Sequence, residues 1–272
     1  LVLGSIIPEN GNILVGSSAR LDAEDIRKHS YADINRVLRK IPGINIREED
    51  GYGIFPSISM RGVDSHRSTK ITLMEDGIMS APAPYSAPDA YYSPNAGRMS
   101  GIEVIKGSSS LKYGPHSVGG VINYLSTPIP QEETFYLKQL FGNYGEARSH
   151  AYWGDTYDFE AGKLGVLFEY YDRQNDGFHD IQHSNSNTGI DKQQEPMLKL
   201  RFEPKTSQYQ FFEFKLAHSE FGGPLSYTGI EQGEFNDDPY DRYWGTQWDR
   251  IDTRSTRTYL KHYIELDDTS SL

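Results

Sequence analysis

Apolar and polar positions follow two different rhythms along this chain. Beyond Pro128-Ile129-Pro130 they alternate with period two. Leu164, Val166, Phe168 and Tyr170 make one such face, and Leu198, Leu200 and Phe202 alternate with Met197, Lys199, Arg201 and Glu203. Phe212, Phe214 and Leu216 alternate with Glu213 and Lys215. Leu260, His262, Ile264 and Leu266 oppose Tyr259, Lys261, Tyr263 and Glu265. Such patterns predict half-buried strands, with weaker candidates at Phe135 to Phe141 and Ala147 to Trp153, about six in all. The connections predicted between them are short around Phe159–Gly162, long from Gln174 to Gln194, and short from Pro204 to Ser207. A further long one spans Ser219 to Arg254, and a short one Asp267 to Ser271.

The first half has no such alternation. Ser30 and Asp33 are spaced as a capping box, and Ile34, Val37, Leu38 and Ile41 then follow helical spacing until Pro42-Gly43. Strands are predicted at Gly43–Ile46, Ile102–Ile105 and from Val118. Arg47-Glu48-Glu49-Asp50 reads as a solvated charge run. Gly51-Tyr52-Gly53 reads as a flexible tip, and the proline-stiffened stretch Ser80 to Pro88 displays Tyr85, with Tyr91 and Tyr92 just beyond. Stiff loops bearing tyrosine suit ligand contact, because tyrosine offers area and a hydroxyl at low entropic cost. Inward packing of the same aromatics is the competing reading.

The most specific stretch runs from Gly101 to Asn123: a strand, a small-residue turn after Gly107, a segment to Tyr113, a Gly114-Pro115 hinge, then Gly119-Gly120 entering a second strand. No phosphate-loop string or nucleophile elbow is present. The spacing of Glu103, Lys106, Gly107, Tyr113, Gly114, Gly119, Gly120 and Asn123 closely resembles the plug signature of TonB-dependent outer-membrane transporters. Arg61-Gly62 and Asp76-Gly77 resemble two further plug motifs. In the resemblance these are structural residues, with the Arg61 side chain paired inside. The loops carrying Tyr52, Tyr85, Tyr91 and Tyr92, with Arg67 nearby, then correspond to a ligand-facing apex. Leu1, Val2 and Leu3 correspond to the tail of the energy-coupling TonB box, or else are an ordinary strand end. Pro239-Tyr240-Asp241-Arg242-Tyr243-Trp244-Gly245, and more loosely Phe221 to Ser226, resemble an external loop of the ferric dicitrate branch. That places Tyr240 and Arg242 among ligand candidates, against the plainer reading of an aromatic anchor at a membrane interface.

Composition narrows the field without naming a function. The 272 residues hold 27 Lys plus Arg against 38 Asp plus Glu, a formal charge of −11, which argues against nucleic acid as a partner. Cysteine is absent, removing disulfides and thiolate metal sites. No apolar run approaches the ~20 residues of a membrane helix, which leaves barrel strands open. His179 and His183, four apart, read as solvated loop residues. Asp237, Asp238 and Asp241 lack the spacing of a known calcium loop. No catalytic constellation stands out, so no enzyme is expected.

The expected fold is an α+β plug domain over 1–130, a small mixed sheet with short helices. The first strands of an antiparallel transmembrane β-barrel follow over 131–272. Six strands fall far short of the roughly 22 such a barrel closes with, so the chain is expected to be incomplete, its start mature or truncated. The resemblance implies energised import of an iron chelate across a Gram-negative outer membrane, powered by TonB with its inner-membrane complex. Lipid is a partner, and iron enters as cargo rather than cofactor. Other cargos (siderophore, haem, cobalamin, nickel chelate) stay open, as does a soluble β-rich binding module or carbohydrate-active enzyme.

Overall fold

A computed structural model describes residues 4–7, 16–28, 30–81, 92–114, 117–267 and 270–271. It comprises two compact units, one ending at Thr127 and one beginning at Pro128.

The first unit contains β1 (Ser17–Asp22), α1 (Ala23–Arg27), α2 (Ile34–Leu38), β2 (Ile44–Ile46), β3 (Ile58–Met60), β4 (Ile71–Glu75), β5 (Ile78–Ala81), β6 (Gly101–Lys106) and β7 (Gly120–Leu125). Five strands form one mixed sheet in the order β1-β6-β7-β4-β5, in which only β7 and β4 run parallel. β2 and β3 pair separately. The strands β4, β6 and β7 are buried on both faces. Their buried polar residues, Thr72, Glu75, Glu103, Lys106 and Asn123, are enclosed with the apolar ones. One face packs Leu73, Ile102, Val104 and Ile122 against Ile34, Val37, Leu38 and Ile41 of the α2 region.

Several local expectations change here. The cap of α2 is Asp33, whose Oδ1 accepts the Asn35 N–H at 2.7 Å, rather than Ser30, which sits at φ +51°. The second signature strand starts at Gly120, leaving Val118 exposed. Between Gly107 and Gly114 the chain makes a 3₁₀ turn, Ser108–Tyr113. β1 and α1 are two elements the residue pattern does not predict.

The second unit contains β8 (Thr134–Phe141), β9 (Ala147–Phe159), β10 (Gly162–Ile181), β11 (Asn187–Pro204), β12 (Gln210–Pro224), α3 (Gln232–Asp237), β13 (Asp241–Arg242), β14 (Arg250–Asp267) and β15 (Ser270–Ser271). The six long strands form an open antiparallel meander, β8-β9-β10-β11-β12-β14, with β15 beyond β14. The expected long loop from Gln174 to Gln194 is instead strand. β10 and β11 run on as a hairpin to a turn at 182–186. Ladder hydrogen bonds hold polar segments there that carry no apolar alternation to reveal them. Only 225–249 is a long connection, and it carries α3 and β13.

Register lines up one side chain per strand. Phe135, Trp153, Phe168, Leu198, Leu216 and Thr258 form a row across all six strands. Rows on this same face continue through Val166, Leu200, Phe214 and Leu260, then Leu164, Phe202, Phe212 and His262. The opposite face carries Glu169, Glu195, Lys199, Glu213 and Lys215, and these polar side chains are buried while Phe168, Leu216 and Leu260 are exposed. An ordinary half-buried sheet has the reverse arrangement.

Candidate functional site

Two groups of residues carry the chemistry, one in each unit. In the first, the Gly101–Asn123 signature builds the sheet's centre. Gly120 has φ +151°, and a Cβ there would meet the Ile105 carbonyl oxygen and Met60 sulfur at 2.6 Å, so β7 leaves no room for a side chain. Asp76 and Gly77 both have positive φ and join β4 to β5 in a tight turn. Asp76 also accepts the Ser126 N–H at 3.0 Å and the Ser126 hydroxyl at 2.5 Å, tying that turn to the end of β7. Its neighbour Glu75 is held by Arg98, whose Nη2 lies 3.1 and 3.2 Å from the two carboxylate oxygens, both side chains buried.

The Lys106 amine donates to the Pro42 carbonyl at 2.6 Å; burial, then the Arg61 charge, holds its pKa below the usual lysine value. Arg61 itself is exposed at φ +56°, with its guanidinium beside Gly107, and does not pair inside as its motif implied. The left-handed backbone of Arg61-Gly62 turns the side chain outward. Tyr113 donates to the Ile6 carbonyl at 3.2 Å, and Gly62, Gly114 and Gly119 occupy the surrounding turns.

In the charge run at 47–50, Arg47, Glu48 and Glu49 are exposed as expected, and Asp50 alone departs from that reading. Asp50 is buried and accepts four backbone N–H groups: Tyr52 at 2.6 Å, Gly53 at 2.7 Å and Ile54 at 3.2 Å on Oδ1, and Phe55 at 2.9 Å on Oδ2. Glu49 pairs with Arg67 at 2.9 Å and Glu48 with Arg39 at 2.9 Å. The tip at Tyr52 is therefore fixed rather than flexible, because one carboxylate satisfies the whole turn. Tyr52 is 8% exposed, and the Arg67 side chain is 3% exposed with its guanidinium 3.8 Å over the Phe55 ring. Neither is displayed as a ligand contact would be. Tyr92 is half-buried, and Leu1, Val2, Leu3, Tyr85 and Tyr91 lie outside the described residues. Asp33, close to Asp50, has its pKa raised by burial first and by the charges of Asp50 and Glu48, against the opposing Asn35 N–H.

In the second unit, Tyr240 and Arg242 stand on a built platform. β13 pairs in parallel with the end of β10, Asp241 opposite Asp180 and Arg242 opposite Ile181. The Asp180 N–H donates to the Tyr240 carbonyl at 3.2 Å and the Gln182 N–H to that of Arg242 at 3.0 Å. The Tyr240 ring meets Phe178 edge-on at 6.3 Å, and Phe178 lies 6.0 Å from Tyr144. The Arg242 guanidinium donates to the Asp241 carbonyl at 2.6 Å. Tyr144, Tyr240, Trp244 and Trp248 are all at least half exposed. This loop sits well beyond the apolar band. β10 continues 11 residues past Tyr170, about 35 Å measured along the strand. The aromatics are thus too far from the band to anchor at its edge.

His179 lies on β10, half-buried, with Nδ1 2.9 Å from the Thr188 hydroxyl; His183 is in the following turn. Asp238 accepts the Tyr240 N–H at 2.8 Å. Among the described residues no group of three or more His, Asp or Glu side chains is placed to hold a metal ion.

A mixed-sheet unit carrying this signature, followed by an open antiparallel sheet with an apolar exposed face, has the fold of a plug domain with leading barrel strands. Residues 14–121 match the family model described as TonB-dependent Receptor Plug Domain. Solved structures with the same fold include the ferric citrate transporter FecA, at TM-score 0.77 and 23% identity over 93% of this chain. The siderophore receptor PirA from Acinetobacter baumannii matches at 0.56 and 16% over 93%, and the yersiniabactin uptake receptor FyuA from Yersinia pestis at 0.60 and 19% over 93%. The chain spans 38%, 41% and 38% of those three structures' lengths.

Proposed function

We propose that this chain is the plug and leading wall of a TonB-dependent outer-membrane receptor that imports an iron chelate, with ferric dicitrate or a close analogue as cargo. The observation carrying the cargo is the platform at Tyr240 and Arg242. Its Pro239–Gly245 string resembles the ferric dicitrate branch and stands at the outer end of the long strands. The FecA fold likeness supports it. The reading includes no resident cofactor and no catalysis: cargo meets the external loops, the loops close, and TonB draws on the N-terminal segment to open a path. With Tyr52 and Arg67 enclosed, contact falls first to Tyr240 and Arg242, with Tyr92 and the stretch holding Tyr85 and Tyr91 as further candidates.

The exposed apolar face supports the membrane location. β10 crosses it from Gly162 to Tyr170, nine residues, which agrees with the ~9–11 a tilted membrane strand needs. The groove over Trp153, Phe168, Leu198 and Leu216 lies on this face and would meet lipid tails rather than cargo.

A second cargo reading rests on the fold shared with receptors for ferric enterobactin and yersiniabactin. Titration of the full-length protein in detergent with ferric citrate, ferric enterobactin and ferric yersiniabactin separates them. Saturable binding of ferric citrate, displaced only by its own analogues, is expected. Tighter binding of a larger siderophore, or equal affinity for all three, would sink the dicitrate assignment.

A further inference from the structure

Pro196 stands in β11, a strand paired on both sides, where a residue without a backbone N–H is ordinarily excluded. Its pairing toward β10 is unbroken, with Tyr170 opposite Pro196 and Tyr171 opposite Glu195. Toward β12 the pairing runs to Gln194 opposite Glu220, lapses for Glu195 and Pro196, and resumes in the same register at Met197 opposite Ala217. The two lost pairs are those that need a donor at 196. The Pro196 nitrogen therefore faces β12, and the His218 carbonyl across from it has no ladder donor.

That carbonyl lies at a boundary. Ala151, Tyr170 and Pro196 form a row on the exposed apolar face, and the flanking register carries the row on to His218 and Thr256. This row is one step outward of Trp153, Phe168, Leu198 and Leu216, at the margin of the apolar band, and Pro196 is exposed there. A groove in the same face is lined by Trp153, Phe168, Pro196, Leu198, Leu216 and His218, so the deficient seam borders its outer end. In the next row, about 7 Å further along the strands, Glu220 accepts from Lys192 at 2.6 Å and from Arg254 at 2.9 Å. The surface thus passes from apolar to charged within two rows, and the missing donor falls at the crossing.

We propose that this notch is a lipid site: an acyl chain lies in the groove, and a headgroup bearing N–H donors gives the His218 carbonyl the hydrogen bond that Pro196 withholds. The seam and the groove select the same occupant. A backbone carbonyl unpaired at a bilayer margin is costly, and only a donor relieves it. The groove takes hydrocarbon. An amphiphile meets both demands with one molecule, whereas water meets only the first. The site rests on the membrane location proposed above and is independent of which cargo is carried.

Phosphatidylethanolamine and phosphatidylcholine carry the same phosphate and the same net charge, but only the ethanolamine ammonium can donate. The full-length protein is reconstituted in nanodiscs holding equal amounts of the two, and the lipid it retains on release is read by native mass spectrometry. The parent should keep the ethanolamine lipid over the choline lipid by about fivefold, the scale of one net hydrogen bond. Pro196→Val returns an N–H on a residue suited to strands, closes the ladder on His218 and should bring the two lipids level; Pro196→Ala is a second route to the same N–H. Equal retention by the parent, the result expected if water alone serves the carbonyl, overturns the site. So does a preference that both variants leave intact. Insertion into the bilayer is scored separately by protease protection of the wall strands. Failure of the parent to insert sinks the membrane location and this site with it, whereas insertion without preference sinks the site alone.

Discussion

Single carboxylates do much of the organising in the first unit, and each does so differently. Asp50 satisfies four N–H groups of one turn, so Asp50→Asn, which turns an amide donor toward some of them, should cost about 2 kcal/mol in denaturant unfolding of the full-length protein. Asp33 works under the opposite constraint. Burial raises its pKa, so the folded protein holds the proton more firmly than the unfolded chain does. Stability therefore falls as pH rises from the ordinary aspartate value near ~4 through the raised one, and levels off above it. Asp33→Asn keeps a competent cap and should flatten that slope, readable from denaturation midpoints between pH 4 and 7. Arg98 and Glu75 are coupled more tightly. Arg98→Met alone strands a buried carboxylate and should cost about 3–5 kcal/mol, whereas adding Glu75→Gln should recover part of the loss.

At the scale of elements, what could be read from sequence depended on what held each segment. Strands β6 and β7 are legible from the glycines that bracket them, and β4 from its resemblance to a plug motif. The six wall strands announced themselves through alternation, but only across the apolar band. Their outer extensions, such as Asn175 to Ile181 and Asn187 to Gln194, are held by ladder bonds and polar side chains, and so resembled loop. The role of Asp50 was hidden for a related reason. A carboxylate that caps a turn is indistinguishable in sequence from one that faces water. Residue type and position make Tyr52 and Arg67 resemble ligand contacts, and burial is the property that neither reveals. The exposed apolar face makes its own prediction. Leu198→Arg, central in the row shared by six strands, should destabilise the folded protein in bilayers by about 2–4 kcal/mol, whereas Gln194→Arg, above the band, should cost little. Unfolding in lipid vesicles distinguishes the two.

For the molecule as a whole, the proposed function places cargo recognition on one platform. Tyr240→Ala and Arg242→Ala, introduced separately in the full-length protein, should each weaken ferric citrate binding by about tenfold, ~1.4 kcal/mol. Trp153→Tyr on the exposed apolar face should leave affinity unchanged. Equal affinity across parent and both loop variants would remove the platform from the binding account. The extended hairpins have a practical consequence of their own. A 45° tilt converts the 11 residues of β10 beyond Tyr170 into about 25 Å of height, carried by hydrogen-bonded ladder and not by slack chain. An epitope spliced into the turn at 182–186 would thus ride on a rigid mast, and on the proposed function antibody applied to intact cells should find it there with or without cargo.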